Sequence, residues 1–367
     1  MHPYLGYALV AVATAAAAHA VLGRCARYEL KGRHVVVTGG SSGIGKEVAR
    51  QALRSGAAAV TLVARKVSVL AEAKAELEKT AVAGQAVLIA SIDVGAGEEP
   101  VVEAFERLVK AAGMPVDVLV NCAGTSTPGM FEDLDPGTFD HLMRVNYLGS
   151  VYPSRAVVPT MKSRGGGRIV FVSSQAGQVG VFGFSAYSPT KFALVGLAQV
   201  LRMELAPYGV SVSVAFPPDT DTPGFAEENA HKPEETRLIS ETAGLFKPAQ
   251  VTKCLRAGMC AAKCASAAHT SLTIDAAAML HFKKCQVADH IIQGLKTGTF
   301  VIYSGLDGWM LANLTAGMAP LPNSFPDAVT QCLLSSLLRF ISLFYVAQFD
   351  GIAAAGKCKR DRSKKSA

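Results

Sequence analysis

H-V-V-V-T-G-G-S-S-G-I-G, residues 34–45, decides the fold of this chain. His34 to Thr38 is a short β-branched run of the kind that forms a strand buried on both faces. The glycines follow at once, and a helical pattern runs from Lys46 to Ser55. Gly39, Gly43 and Gly45 let backbone come close to a bound group. The helix behind them aims its free N–H groups and its dipole at the same place. Strand, glycine turn and helix in that order cradle a pyrophosphate, and Ser41, Ser42 and Ile44 complete the turn. An ordinary tight turn would use the same glycines, but it would not need the strand before and the helix after them.

Outward from this stretch, strands alternate with helices. Ala59 to Ala64 reads as a second strand, ending in Arg65 and Lys66. In a dinucleotide fold this strand end meets the adenosine ribose. An acid there would bind a free 2′-hydroxyl, whereas Arg suits a 2′-phosphate, which points to NADPH. A solvated Arg after a strand is the plainer alternative. Helix is expected over 69–80, strand over 86–90 with Asp93 just beyond, and helix over 101–112. A strand over 117–120 leads into Asn121-Cys122-Ala123-Gly124. A long helical stretch over 139–162 contains Asn146, and a strand over 168–173 delivers Ser174. Helix over 188–208 and strand over 210–216 follow, with a last strand at 300–304. This alternation predicts an α/β fold with a doubly wound parallel sheet and right-handed crossovers.

The chemistry is expected in S-Q-A-G-Q-V-G-V-F-G-F-S-A-Y-S-P-T-K, residues 174–191. Tyr187 and Lys191 are four apart and share one face of a helix. A Lys beside a Tyr favours the phenolate and lowers the phenol pKa. Such a Tyr can protonate a carbonyl oxygen as the carbonyl becomes an alcohol.

Composition narrows the function. The chain has 367 residues, half of them apolar, and a formal net charge of +7. The tail K-C-K-R-D-R-S-K-K at 357–365 holds six bases and one acid, so the body is nearly neutral, which argues against a nucleic-acid surface. The tail reads either as a solvated, disordered terminus or as a contact for anionic lipid heads. Eight Cys in a chain this long need not form a disulfide framework. Tyr4 to Leu22 is nineteen residues without Lys, Arg, Asp or Glu, followed by Arg24, Arg27, Lys31 and Arg33. It reads as a membrane anchor with the body in the cytosol, or as a cleaved signal peptide, although no basic stretch precedes it.

T-G-G-S-S-G-I-G at 38–45, N-C-A-G at 121–124, V-N-Y-L-G at 145–149, S-S at 173–174 and Y-S-P-T-K at 187–191 together resemble the short-chain dehydrogenase/reductase family. The likeness covers residues 33–245 and 287–305 and implies a Rossmann-type domain. It implies that Tyr187 is the proton donor, that Lys191 holds the cofactor ribose and lowers the Tyr187 pKa, that Ser174 hydrogen-bonds the substrate carbonyl, and that Asn146 holds a relay water. Cofactor contacts are implied at Gly39, Ser41, Ser42, Gly43, Ile44, Gly45, Arg65, Lys66, Asp93, Asn121, Tyr187, Lys191, Thr220 and Thr222.

P-P-D-T-D-T-P-G-F-A-E-E-N at 217–229, K-P-E-E-T-R-L-I-S-E at 232–241, D-G-W-M-L at 307–311 and G-M-A-P at 317–320 are similar to the branch of that family that reduces 3-ketosphinganine. That resemblance implies an NADPH-dependent enzyme of sphingolipid metabolism, at the cytosolic face of the endoplasmic reticulum membrane, with a lipid substrate. The branch carries a Lys four residues after the Arg of the second strand, where this chain has Val69. Reduction of another lipophilic ketone (steroid, retinoid or fatty-acyl) is the nearest rival, and a catalytically dead scaffold is the rival of another kind. Residues 217–241 read as a lid over substrate or as a plain surface loop.

Four segments complete the chain: an anchor and basic flank over 1–30, the reductase domain over 31–305, a hydrophobic membrane-associated segment over 306–356 and the basic tail over 357–367. Residues 251–286 break the pattern. Without them the chain reads K-P-A-Q-V-A-D-H-I-I-Q-G-L-K, a smooth amphipathic helix. The piece begins with Val, whose codons start GT, and ends with Gln, one of whose codons is CAG, so it reads as a translated retained intron and a poorly packed excursion. Its Cys254, Cys260, Cys264 and Cys285 with His269 and His281 match no usual zinc spacing, and no metal is expected. A helix is expected over 329–349. Arg339 near its middle makes a bilayer span costly, so it reads as interfacial, as packed on the core, or as the contact of a homo-oligomer.

Overall fold

The computed structural model describes residues 27–243, 282–316 and 325–366. The glycine stretch lies where the sequence put it. β1 (His34–Thr38) runs into a glycine turn and then α1 (Gly43–Arg54). β2 (Ala59–Ala64), α2 (Val67–Glu78), β3 (Ala86–Ser91), α3 (Glu98–Ala112) and β4 (Val118–Asn121) follow. α4 (Pro136–Leu142) continues through a widened, π-helical turn over Met143–Leu148 into α5 (Gly149–Ser163). Then come β5 (Gly167–Val172), α6 (Ser188–Leu205) and β6 (Val210–Phe216). The elements expected up to β6 are all present, shifted by up to three residues at their ends.

The main sheet is parallel, in the order β3-β2-β1-β4-β5-β6-β9, where β9 is Val301–Tyr303. β1 pairs with β2 on one side and β4 on the other, so the strand order reverses there and the carboxyl ends of β1 and β4 open a crevice. Side chains alternate across the sheet, as period-two geometry requires. Val35 and Val37 join α1, α2 and the later helix α9 (Lys284–Thr297) in one core. Val36 joins α3, α5 and α6 in the other. One polar pair lies within this buried sheet: His34 Nε2 stands 2.8 Å from Thr61 Oγ1.

Two readings of the sequence are corrected here. Residues 217–241 are no plain loop. They form a short strand β7 (Thr220–Asp221) and two helices, α7 (Pro223–His231) and α8 (Glu234–Ala243). Thr222 caps α7 by accepting a hydrogen bond from Phe225 N at 3.1 Å, and Pro223 takes the first helical position, so a Pro- and Thr-rich string starts a helix rather than preventing one. The second correction concerns the C-terminus. The helix expected over 329–349 runs from Phe325 to Ser366 as α11, and the basic tail read as disordered or lipid-bound forms its last turns. The tail is ordered by ion pairs to α8: Lys359 Nζ donates to Glu234 at 2.7 Å and 3.0 Å, and Arg360 pairs with Glu235.

Between these ends lie β8 (Phe282–Lys283), paired with β7, and α10 (Gly305–Leu314). Lys284, Cys285 and Gln286, the last residues of the excursion read over 251–286, form the first turn of α9. Its other residues before 282 lie outside the described residues, as does the anchor read over 4–22. No helix among the described residues is long and apolar enough to cross a membrane.

Candidate active site

The crevice at the ends of β1 and β4 carries the cofactor cradle. A Cβ on Gly45 would stand 2.4 Å from the Gly39 carbonyl oxygen, and one on Gly39 would stand 2.9 Å from the backbone of Cys122 and Ala123. Gly39 and Gly43 also have φ of +67° and +54°, where other residues are strained. Glycine is therefore required by both space and conformation. Ser42 is the N-cap of α1 but makes no capping bond, and the first turn holds no acid. An uncapped helix N-terminus without an acid suits an anion. These residues fit a pyrophosphate. Thr222 joins them, because a Cβ on Gly43 would touch its methyl at 3.1 Å. Thr220 does not join them by its hydroxyl, which donates to the Pro218 carbonyl at 2.6 Å.

Arg65 and Lys66 are exposed at the end of β2. Asp93 lies beyond β3 and turns one oxygen to Gly95 N at 2.9 Å. Asn121 ends β4. Its Nδ2 donates to Ser154 Oγ at 3.1 Å, and its Oδ1 is buried with no partner among the described residues.

The candidate catalytic side chains gather at the ends of β4 and β5 and the start of α6. Ser174 follows β5 in extended conformation, and its Oγ accepts from Ala176 N at 3.1 Å, which leaves its proton to donate. Lys191 is 6% exposed, and its Nζ donates to the Val172 carbonyl at 3.0 Å. It stands 5.6 Å from the centroid of the Tyr187 ring. The Tyr187 ring meets Phe184 edge-on at 5.3 Å.

Burial works against the lowering of the Tyr187 pKa that a neighbouring Lys191 implies. Burial pushes the Tyr187 phenol well above its ordinary range, Glu228 and Asp219 push it further, and only the hydrogen bond with Ser174 works the other way. Burial also lowers Lys191 to about 8, so each group resists its own charge. Asn146 is fully buried in the π-helical turn and its amide is committed to the protein. Oδ1 accepts from Thr125 N at 2.8 Å, while Nδ2 donates to Thr125 O at 2.9 Å and to Thr190 Oγ1 at 3.0 Å. Its side chain ties the segment after β4 to the first turn of α6.

Three residues escaped sequence reading. Thr38 Oγ1 accepts from the N–H groups of Cys122 and Ala123, both at 3.1 Å, and ties the glycine turn to β4. Glu228 and Lys232 pair at 2.8 Å beside the site. Their spacing of four residues was the available signal, but it is informative only once 223–231 is known to be helical. Of the six Cys and His weighed as metal ligands, only Cys285 lies among the described residues.

The chain matches the family model for short chain dehydrogenases over residues 33–233. It is 47% identical to a 3-ketodihydrosphingosine reductase of Bos taurus over 91% of this chain and 89% of the relative. It is 47% identical to a 3-dehydrosphinganine reductase of Danio rerio over 92% and 90% of the two chains. A 3-ketodihydrosphingosine reductase of Dictyostelium discoideum is 34% identical over 98% of this chain and 99% of its own. Among solved structures, a short chain dehydrogenase/reductase family protein superposes with a TM-score of 0.53 at 26% identity, covering 73% of this chain and 91% of its own.

Proposed function

Because the chain belongs to the short-chain dehydrogenase family, we propose that it is the NADPH-dependent reductase that converts 3-ketosphinganine to sphinganine in sphingolipid biosynthesis. The observation that carries this reading is near-half identity over nine-tenths of both chains to relatives named for that reaction. The geometry supplies the means. A nicotinamide cofactor, when bound, supplies the hydride for the ketone carbon. The glycine cradle and the α1 N-terminus hold its phosphates, and Arg65 with Lys66 at the end of β2 favours a 2′-phosphate over a free hydroxyl. Ser174 donates to the ketone oxygen, which strengthens as charge develops there. Tyr187 Oη gives that oxygen its proton. Lys191 stays beside the Tyr187 ring and carries the charge the cofactor ribose meets.

An open cleft of about 430 Å³ runs along residues 180–185, with Ser188, Pro189 and Phe192. It adjoins Tyr187 and is mostly apolar, which suits the hydrocarbon chain of a lipid ketone. The enzyme works at the endoplasmic reticulum membrane with its catalytic domain in the cytosol. Supporting this are the apolar run at 4–22, the bases that follow it, and the exposed Leu343 and Val346 of α11.

The test is NADPH oxidation by the purified full chain on addition of 3-ketosphinganine, with sphinganine identified as product. NADH in place of NADPH is expected to support much slower turnover. Absence of turnover together with activity on a steroid, retinoid or fatty-acyl ketone would overturn the substrate assignment.

A further inference from the structure

The ketone proposed above carries an amine on the carbon next to the carbonyl, protonated at neutral pH. Ser174, Tyr187, Asn146 and Lys191 offer that cation no anion. The lid does. Asp219 lies just before β7 and Glu228 lies within α7, and both reach Lys232. The Lys232 ammonium stands 2.8 Å from Glu228 Oε1 and 3.4 Å from Asp219 Oδ2. The Lys232 side chain is 1% exposed and that of Glu228 13%.

The cluster is held against the catalytic Tyr through aromatic faces. Lys232 Nζ stands 4.5 Å from the Phe225 centroid and 5.7 Å from that of Phe184, the same ring that meets Tyr187 at 5.3 Å. The lid is seated closely there. Thr236 Oγ1 donates to the Phe182 carbonyl at 2.8 Å, and a Cβ on Gly183 would stand 2.3 Å from Thr236 Oγ1.

Two carboxylates against one ammonium leave this corner one charge negative. Glu228 and Lys232 are largely withdrawn from solvent while Asp219 is more open, and both Tyr187 and Lys191 respond to Glu228. A carboxylate short of a partner in such a place favours any second cation that fits. The amine and the carbonyl oxygen of an α-amino ketone sit on adjacent carbons. With the oxygen on Tyr187 and Ser174, the ammonium is confined to within roughly 6 Å of the Tyr187 hydroxyl, on whichever side the lid closes.

We infer that Glu228, oriented by Lys232 and assisted by Asp219, receives the substrate ammonium and makes the lid select an α-amino ketone over a plain lipid ketone. The inference rests on the proposed substrate. Lys232 takes no part in the chemistry. It fixes the carboxylate and is itself fixed by two aromatic rings.

The experiment compares kcat/KM for 3-ketosphinganine and for 1-hydroxyoctadecan-3-one, the same ketone without the amine, in the full-length wild type, Glu228→Gln and Glu228→Asp. The wild type is expected to prefer the amino ketone. Glu228→Gln is expected to lower the ratio of the two values by roughly tenfold to a hundredfold, and Glu228→Asp to restore part of it. NADPH binding, followed by its fluorescence, reports whether each variant is folded. A ratio unchanged in Glu228→Gln overturns the inference. If that variant does not fold, equal kcat/KM for the two ketones in the wild type overturns it instead. An enzyme that reduces only amine-free ketones overturns the substrate assignment as well, whereas one that reduces the amino ketone with an unaltered ratio overturns the lid's role alone.

Discussion

Burial keeps Tyr187 protonated through the neutral range, the state a ketone reduction needs from its acid, and the same burial lowers Lys191 to about 8. Replacing Tyr187 with Phe removes one hydroxyl and little volume. Turnover is expected to fall by roughly a hundredfold to ten-thousandfold, the range for losing a general acid, with cofactor binding retained. A normal rate in that variant would show that another group protonates the alkoxide. Lys191 holds fewer protons folded than unfolded between about pH 8 and its ordinary 10.5. Its cost to stability is therefore fully present below that window and is relieved as pH rises through it. Lys191→Met is expected to abolish turnover yet raise the urea midpoint of the cofactor-free protein at pH 7, with the gain shrinking between pH 8 and 10.5. A midpoint no higher than wild type would show that the buried amine is not penalised. Both residues were evident from Y-S-P-T-K. The direction in which the Tyr pKa moves was not, because spacing reports which groups are neighbours and not how much water surrounds them.

Among the elements, the glycine turn was the most legible, since its requirement is local: three glycines, a strand before and a helix after. Gly45→Ala puts a methyl 2.4 Å from a carbonyl oxygen that cannot swing away. It is expected to cost about 1–3 kcal/mol in a denaturant melt and to weaken cofactor binding. Gly196→Ala, within α6 with nothing within 4 Å of the added methyl, is expected to gain about 0.5–1 kcal/mol from helix propensity. Equal effects at the two positions would refute the steric account of the cradle. The lid and the C-terminal helix were poorly legible. α8 and the tail are joined by Glu234 and Glu235 meeting Lys359 and Arg360 from 125 positions away. Glu235 is 5% exposed at its side chain, whereas Lys359 is 71% exposed. Arg360→Ala strands a buried carboxylate and is expected to destabilise by about 1–3 kcal/mol. Lys359→Ala, at an exposed pair, is expected to leave the melt unchanged. If the two variants melt alike, the tail does not clamp the lid.

At the scale of the whole molecule, the reversal of strand order between β2-β1 and β4-β5 is what brings separate segments to one crevice. Gly39, Asn121 and Ser174 come from different parts of the chain and meet because β1, β4 and β5 end on the same side of one sheet, while Tyr187 opens α6, which packs on that sheet. Removal of residues 251–286 acts at this scale too. The join would set Gln250 against Val287, so Pro248 would take the place of Lys284, the first residue of α9. Proline is tolerated at a first helical position, where its missing N–H would be unpaired anyway. The shortened chain is expected to fold and to turn over 3-ketosphinganine at least as well as the full one, measured by NADPH oxidation. Loss of soluble protein would show that these residues belong to the fold.

The sequence alone determined the doubly wound sheet, the phosphate cradle, the Ser174, Tyr187 and Lys191 set, and the family. Each of these rests on short-range patterns: period-two and helical periodicity, glycines at fixed intervals, and a Tyr and a Lys one helical turn apart. Only the tertiary structure decided that the Asn146 amide is committed to the protein, that Tyr187 is buried beside Glu228, that the acidic stretch at 217–241 is largely helical, and that the basic tail pairs with it. Those outcomes depend on solvent exclusion and on charges brought together from distant positions, and neither is present in the chain until it folds.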